Sequence, residues 1–566
     1  MDRLRRLVPI LAWLPRYRRA DLSGDLAAGL TTAVMLIPQA MAYALLAGLP
    51  PIVGLYAAIP PLLVYAIFGT SPKLAVGPVA MDSLLVAAAL GSLSLATGET
   101  PVLAAAALAA MVGAIQLTMG ALRLGFVVNF LSQPVLSGFT SAAAIVIAAS
   151  QLGALLGLHV SASTGLHTVL AQLWTARAQV HLPTLAVGLA AVAILITLGR
   201  FRAKALVVVA AAIVTSALLG LADHGVAILG KVPAGLPTPA VPFLSLTTLG
   251  ALVPAALTIA LLSFMEAISS ALAVAGPDDR PEADRELVAL GLCNLATGFT
   301  RGYPIAGGLS RTAVNAQAGA RTGLAGVFTA VLVATTLLLL TPVLHDLPRA
   351  ALAAIVIVAV AGLVDHKLPR TLWRLRRREL PALLVTLIAT LTLGITTGLG
   401  IGVLLSLALF ILRTTRPHTA LLGRLPGTTI YRNRDRFPEA LAIPGLLILR
   451  LDAQLYFANA AFLRETILRH VDLAPPPTRA VILDASSIHD IDISALASLR
   501  EVHRTLRARG IALHLADVKG PVRDALARSG FQHELGEDHF SFTVHEAVQH
   551  AQGEPVPHDP RALQHW

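Results

Sequence analysis

Long apolar runs recur through the first three quarters of the chain, and they constrain its fold more than any other feature. They lie between about residues 26 and 413, and each run of about 17–25 residues is long enough to cross a bilayer as a helix. Only 13% of the 566 residues are charged, whereas soluble domains carry about 25%. The sequence therefore predicts a polytopic α-helical membrane protein.

We predict about fourteen membrane segments, several of them short, at roughly 26–46, 51–69, 79–95, 101–121, 130–156, 182–199, 203–221, 249–275, 286–299, 309–318, 322–342, 347–364, 379–396 and 398–413. Basic residues fall in alternate loops, as at Lys73, Arg123, Arg200 and the stretch 365–380. By the positive-inside rule both termini lie in the cytoplasm, with the protein in the cell (inner or plasma) membrane. These loops also account for the net charge of +11, so no nucleic-acid partner is expected.

The character of the sequence changes after about residue 417. We predict a cytoplasmic amphipathic lead-in at 1–25, a transmembrane domain at 26–416, a polar linker at 417–436, a small α/β domain at 437–552 and a flexible tail at 553–566. Strand candidates at 445–451, 480–485 and 511–518 and helix candidates at 492–510 and 520–530 define the α/β domain. The single cysteine, Cys293, excludes an intramolecular disulfide and a Cys-cluster metal site, and no cofactor or metal is expected.

Two polar, Pro/Gly-interrupted stretches occupy matching places in the two halves of the membrane region. "GTSPKLAVGPVAMDSLL" (69–85) precedes the third segment and "FTRGYPIAGGLSRTAVN" (299–315) precedes the tenth. Paired short, interrupted segments are the best sequence indication of a transporter's midplane binding site. Two helices that begin opposite each other inside the membrane would present free amides to an anion. Ser310 would add a hydroxyl donor, and Arg311 a permanent positive charge.

Other polar residues lie inside the predicted segments. Glu266 is in the eighth, where it would carry a proton or, with Ser270 one turn later, bind a cation; the alternative is a structural hydrogen bond. Gln39 and Tyr43 share one face of the first helix, and Asp82 lies in the third. These three side chains either line the pocket or pack structurally.

The stretch 22–78 closely resembles the N-terminal signature of the sulfate permease (SulP) family of anion transporters, and "LVALGLCNLATGFTRGYPIAGGLSRTAVNAQAGART" resembles that family's ninth-to-tenth segment region. The C-terminal domain resembles a STAS domain. The similarity extends from about residue 21 to about 550 and is strongest to bacterial sulfate permeases.

The resemblance implies two inverted seven-segment repeats, divided into a core and a gate domain, with an anion bound between the starts of helices 3 and 10. It also implies a homodimer and a cation-coupling role for Glu266. Residue by residue, the implied pocket comprises Gln39, Tyr43, Gly77, Pro78, Val79, Ala80, Gly308, Leu309, Ser310 and Arg311.

The STAS domain departs from its soluble relatives at their phosphorylation loop. In "IDISAL", Asp492 is kept, Ile493 stands where those relatives have the phospho-acceptor serine, and Ser494 follows. Phosphorylation at the usual place is therefore chemically impossible. Ser494 is interpreted as an ordinary helix-start residue, and the domain as a regulatory or interaction module for a cytoplasmic protein.

The function expected from these features is secondary active import of a small inorganic oxyanion, sulfate first, coupled to protons. The alternatives are transport of bicarbonate, chloride or a dicarboxylate, coupling to sodium, and a membrane-anchored anion sensor that signals through the STAS domain. No nucleophile–base arrangement or Walker-type phosphate loop is present, so an enzyme or an ATP-driven pump is not indicated.

Overall fold

The chain forms two compact units, Met1–Leu407 and Ala408–Trp566. The computed structural model describes residues 8–93, 100–126, 132–158, 166–199, 201, 204–231, 233–276, 281–474 and 478–554. Part of the predicted lead-in (1–7), the loop residue Arg200 and most of the predicted tail (555–566) lie outside the described residues.

Within the described residues, fourteen helices follow the predicted membrane segments, and two further helices, Leu166–Ala176 and Lys367–Leu375, lie between the fifth and sixth and between the twelfth and thirteenth of them. The fourteen are α1 (Arg19–Leu46), α2 (Pro51–Phe68), α3 (Ala80–Leu93), α4 (Pro101–Ala121), α5 (Gln133–Leu156), α6 (Leu182–Thr197), α7 (Lys204–Leu219), α8 (Leu246–Val274), α9 (Ala283–Gly298), α10 (Leu309–Gln317), α11 (Leu324–Thr335), α12 (Arg349–Ala361), α13 (Leu380–Leu393) and α14 (Ile395–Thr415). Six are long and apolar enough to cross a membrane by themselves: α1, α2, α4, α5, α8, and α11 with its continuation to Leu344. The prediction of a helical membrane protein is confirmed.

The helices pack as two related sets of seven. Contacts of α1 with α10 and α11 are matched by contacts of α8 with α3 and α4, which are the helices seven positions away in each case. The same rule relates the α2–α11 pair to the α9–α4 pair, and the α5–α13 pair to the α12–α6 pair. This reciprocity is what a two-fold axis between two repeats produces. Most of the heavier contacts lie within two groups, α1–α4 with α8–α11 and α5–α7 with α12–α14, and α1 also packs against α7 and α12.

The first helix begins earlier than predicted. We expected residues 1–25 to precede the membrane domain, but α1 starts at Arg19, and the Asp21 carboxylate accepts a hydrogen bond from the Arg18 amide at 3.1 Å. Asp25 is buried and accepts hydrogen bonds from the backbone amides of Arg321 (2.7 Å) and Thr322 (3.0 Å). Asp25 therefore anchors the start of α11 to α1, a role that its polar sequence context did not indicate.

The second unit is an α/β domain. Its strands are β3 (Thr419–Arg424), β4 (Tyr431–Asn433), β5 (Leu446–Leu451), β6 (Ala480–Asp484), β7 (Ala512–Ala516) and β8 (Phe540–Ser541), numbered after the two short membrane strands described below. Among the described residues they form one sheet in the order β4-β3-β5-β6-β7-β8, in which β5 to β8 run parallel. Parallel neighbours need crossover connections, and α15 (Phe457–Leu473), α16 (Ile493–Ala508) and α17 (Gly520–Arg528) supply them; α18 (Val544–Gln552) follows β8.

The structure differs from the prediction of a polar linker at 417–436. It carries β3 and β4, and β3 pairs antiparallel with both β4 and β5. Ala420 and Leu422 bury their side chains in the domain, whereas several charged residues of this stretch are exposed at the sheet edge. Charges are common on edge strands, and they made the stretch look like a linker. Strands β5, β6 and β7 and helices α16 and α17 match their predictions.

His514 on β7 gives this domain a predicted pH dependence. Burial lowers the pKa of His514 to about 4, and the neighbouring His539, with ring centroids 4.5 Å apart, adds to the effect. The unfolded chain, with an ordinary histidine pKa near 6.5, binds this proton more readily. The contribution of neutral His514 to the free energy of unfolding is therefore fully present above about pH 6.5. The free energy of unfolding falls by about 3 kcal/mol as the pH drops to about 4.

We expect His514→Leu to flatten this decline in thermal unfolding of a fragment comprising residues 416–554. The matched control is His533→Leu, which removes an exposed imidazole of the same domain. An unchanged pH profile in His514→Leu would refute the assignment.

Candidate functional site

Two short strands bring the predicted helix starts together. β1 (Val76–Gly77) and β2 (Ala306–Gly307) are antiparallel, with Val76 opposite Gly307 and Gly77 opposite Ala306. Helix α3 begins three residues after β1, and α10 begins two residues after β2. Both helices therefore start beside the same strand pair, and their first-turn amides have no partner within their own helices.

Small residues make this arrangement possible. Gly77 has φ +148°, a conformation that other residues rarely adopt. A Cβ on Gly307 would lie 2.9 Å from the Cα of Ala267 on α8, so the backbone of β2 lies directly against that helix. Pro78 then precedes the start of α3. The Pro/Gly interruptions thus allow two backbones to approach each other and α8.

Arg311 lies between the two helix starts. It is in the first turn of α10, only 2% exposed, and its Nη1 donates a hydrogen bond to the carbonyl oxygen of Pro78 at 2.7 Å. Its Nε and Nη2 atoms are buried and have no hydrogen-bond partner among the described residues. A Cβ added at Gly308 would lie 3.0 Å from Nη2. The guanidinium group therefore retains two buried donors beside the strand pair.

Helix α1 forms a further side of the site, beside the starts of α3 and α10. α1 contacts both α3 and α10, and its residues Gln39 and Tyr43 are buried. Tyr43 interacts electrostatically with Arg311, and the Oε1 atom of Gln39 has no partner among the described residues. Val79 and Ala80 at the start of α3 are also buried.

The remaining predicted pocket residues face outward. Leu309 is 48% exposed, and Ser310 is exposed as well, in contrast to the buried Arg311 that follows them. The α10 start is thus open on the side of Ser310 and closed on the side of Arg311. The predicted pocket residues lie in α1 and around the two helix starts.

Two carboxylates lie on the helices that form the site, and Glu266 is the one that interacts with the guanidinium. Glu266 on α8 is half-buried and interacts electrostatically with Arg311, and its Oε2 atom has no hydrogen-bond partner among the described residues. Asp82 is fully buried in the first turn of α3. Ser270 donates a hydrogen bond to the carbonyl oxygen of Gly307 at 3.1 Å, so its hydroxyl already ties α8 to β2.

A polar network that the sequence analysis missed holds the chain leading into β2. Asn294 on α9 accepts a hydrogen bond from the Ile305 amide at 2.9 Å and donates one to the Ile305 carbonyl at 3.2 Å. It also donates to the Gln116 Oε1 atom on α4, and Gln116 donates to Ser263 on α8. A polar side chain inside an apolar segment was the available signal for Asn294 and Gln116.

A second network holds the chain leading into β1. The Thr312 hydroxyl accepts a hydrogen bond from the Ala75 amide at 3.1 Å, and Asn315 donates one to the Lys73 carbonyl at 2.9 Å. Both side chains belong to α10. Side chains from the second half of the chain therefore hold the segments that lead into both strands.

The STAS-loop residues lie in the second unit. Asp492 caps α16 by accepting a hydrogen bond from the Ala495 amide at 2.7 Å, and its other oxygen accepts one from the Phe457 amide at 2.8 Å. Ser494 is an exposed residue in the first turn of α16, and Ile493 beside it is 87% exposed. Among the described residues, no group of three or more His, Cys, Asp or Glu side chains is arranged to hold a metal ion.

Comparisons with known proteins agree with this architecture. The model of the Sulfate permease family matches residues 22–386, and that of the STAS domain matches residues 437–547. Sulfate transporter 4.1, chloroplastic, of Arabidopsis thaliana is 38% identical over 97% of this chain and 83% of its own length. A probable sulfate transporter of Mycobacterium tuberculosis is 38% identical over 94% of this chain and 96% of its own length.

Solved structures give the same fold. The murine Solute Carrier 26 family member A9 anion transporter, in the inward-facing state, matches with a TM-score of 0.88 at 25% identity, covering 97% of this chain and 94% of that one. The transmembrane domain of the cyanobacterial bicarbonate transporter BicA matches with a TM-score of 0.59 at 25% identity, covering 69% of this chain and 98% of that one.

Proposed function

The chain belongs to the sulfate permease family of anion transporters, and we propose that it imports sulfate together with protons. The anion binds between the starts of α3 and α10, and transport proceeds by movement of the core helices (α1–α4 and α8–α11) against the gate helices (α5–α7 and α12–α14). The observation that carries this proposal is the buried Arg311 guanidinium with two donors that no described residue satisfies.

The chemistry of the site favours an oxyanion. A buried donor without a partner costs about 1–3 kcal/mol, and more when it is charged, so the Arg311 donors are stabilised when an acceptor occupies the site. The planar guanidinium matches two oxygens of one anion, and the two helix starts add amide donors. A neutral molecule would leave the positive charge uncompensated. We propose sulfate ahead of the other candidate anions because the 38%-identical relatives are named as sulfate transporters.

Glu266 supplies the coupling. As a carboxylate it attracts Arg311 and competes with the anion for that positive charge. Once protonated it no longer competes, so sulfate and the proton bind together. Glu266 with Ser270 as oxygen ligands for sodium is the alternative, but the Ser270 hydroxyl already donates to Gly307.

We also propose a location, an oligomeric state and a partner class for the transporter. The protein lies in the inner or plasma membrane as a homodimer with both termini in the cytoplasm, and the basic residues in alternate loops support this orientation. In the STAS domain, the Asp492 carboxylate caps α16. The domain acts as an interaction module for a cytoplasmic protein.

A single-cysteine experiment tests the transport route. Ser310→Cys places a thiol at the open side of the site, whereas the native Cys293 is buried. In proteoliposomes, a negatively charged methanethiosulfonate reagent is expected to reduce labelled-sulfate uptake of Ser310→Cys by more than about 90%, because the added group blocks the helix start. Sulfate is expected to protect the thiol, and bicarbonate, chloride and dicarboxylates to protect it less.

The wild-type protein and Ser23→Cys, which exposes a thiol near the beginning of α1, are the controls and are expected to keep their uptake. Full modification of Ser310→Cys with undiminished uptake would refute the route. Sulfate protection without any sulfate flux in the wild type would instead support the anion-sensor alternative.

A further inference from the structure

Asp82 is a buried carboxyl group that the proposed function does not use. It is 0% exposed in the first turn of α3, and neither of its oxygens has a hydrogen-bond partner among the described residues. Glu286 provides the contrast. It is equally buried, but it accepts hydrogen bonds from the Tyr65 hydroxyl at 2.5 Å and from the Thr70 hydroxyl. A structural buried carboxylate in this protein is satisfied by neighbours, and Asp82 is not.

The charged and titratable groups around Asp82 belong to the anion site. Glu266 on α8 interacts with it electrostatically, as does Tyr303 on the segment before β2, whose hydroxyl lies 3.2 Å from the Ser83 hydroxyl. Glu266 and Tyr303 in turn interact electrostatically with Arg311 on α10, as does Tyr43 on α1. Helices α4 and α5, which also contact α3, carry no titratable or charged side chain.

A charge count shows what a divalent anion requires. Arg311 contributes +1, and the two helix starts together contribute roughly +1, because each N-terminus is equivalent to about half a charge. This sum balances the two negative charges of sulfate only when both Asp82 and Glu266 are neutral. If either stays ionised, the buried site holds an uncompensated negative charge, which is expensive away from water.

We propose that Asp82 is a second proton-carrying group, so that each sulfate enters with two protons, one on Asp82 and one on Glu266. The proposal rests on the proposed function and deepens it. In the empty site, the positive start of α3 favours the Asp82 carboxylate, and burial and the nearby Glu266 oppose it. An arriving dianion occupies that same field, and a proton then binds to Asp82. The sum of one sulfate and two protons is zero charge, so the transport cycle is electroneutral.

Electrical measurements distinguish the stoichiometries. In proteoliposomes with a fixed pH gradient, sulfate uptake by the wild type is expected not to respond to a potential imposed with potassium and valinomycin. Asp82→Asn carries one proton fewer, so its uptake is expected to become several-fold faster with an interior-positive than with an interior-negative potential. Glu282→Gln, which changes an exposed carboxyl to an amide near the start of α9, is the matched control and is expected to stay electroneutral.

A binding measurement covers the case in which Asp82→Asn does not transport. Calorimetry of sulfate binding in buffers of different ionisation enthalpy counts the protons bound with the anion. We expect a count near two for the wild type at neutral pH and one fewer for Asp82→Asn. Electrogenic wild-type uptake, or equal proton counts in both proteins, would overturn the role of Asp82 while leaving sulfate transport intact. Absence of sulfate binding and uptake in the wild type would overturn the proposed function itself.

Discussion

Replacing Arg311 by lysine is expected to reduce sulfate uptake at least about 100-fold, although the positive charge is kept. The guanidinium donates to the Pro78 carbonyl through Nη1 and keeps Nε and Nη2 for the anion. An ammonium group is a point charge that cannot hold this carbonyl and also present a planar pair of donors. Losing one or two charge-assisted hydrogen bonds costs about 3 kcal/mol, which corresponds to about 100-fold.

Initial rates of labelled-sulfate uptake in proteoliposomes with equal amounts of protein measure this effect. Arg349→Lys is the matched control, because it makes the same exchange at an exposed arginine that begins α12. Its uptake is expected to equal that of the wild type. Wild-type uptake by Arg311→Lys would show that charge alone suffices, and the two-donor account of the site would be wrong.

The second large effect is expected from Glu266→Gln, which should weaken the stimulation of uptake by external acidity by the share of one proton. A proton that travels with the anion contributes about tenfold accumulation for each pH unit of gradient. Glutamine keeps the size of the side chain but binds no proton and does not attract Arg311. Accumulation across a gradient of one pH unit is therefore expected to fall about tenfold, while uptake without a gradient persists.

Uptake under imposed proton and sodium gradients measures this effect, with Glu282→Gln as the carboxyl-to-amide control outside the membrane helices. An undiminished response of Glu266→Gln to the pH gradient would remove Glu266 from the coupling mechanism. Wild-type uptake that follows sodium and ignores pH would replace proton coupling by sodium coupling.

The sequence identified the two helix starts, because the Pro/Gly interruptions at 69–85 and 299–315 occupy matching places in the two halves. It did not reveal the pairing of Val76 with Gly307, because a strand register between segments so far apart depends on how α8, α9 and α10 pack. Nor did it indicate the role of Asn294, whose contacts with Ile305 and Gln116 exist only in the folded chain.

The buried carboxylates show the same limit of prediction from sequence. Asp25, Asp82 and Glu286 all look like acidic residues near segment ends, and sequence alone does not separate their roles. In the fold, Asp25 holds the start of α11 and Glu286 is satisfied by Tyr65 and Thr70, while Asp82 has no hydrogen-bond partner among the described residues. The roles of these carboxylates differ because of hydrogen-bond donors that other parts of the fold bring close to them. The strands β3 and β4 were missed for a related reason, since their charges suit a sheet edge as well as a linker.

The anion is expected to bind beside Arg311, between the starts of α3 and α10. Selenate has the shape and charge of sulfate, and selenium scatters X-rays anomalously, so crystals grown with selenate locate the bound anion directly. We predict an anomalous peak within hydrogen-bonding distance of the Arg311 guanidinium and the first-turn amides of α3 and α10. A peak elsewhere in the membrane unit, with none beside Arg311, would show that the anion does not bind at the two helix starts.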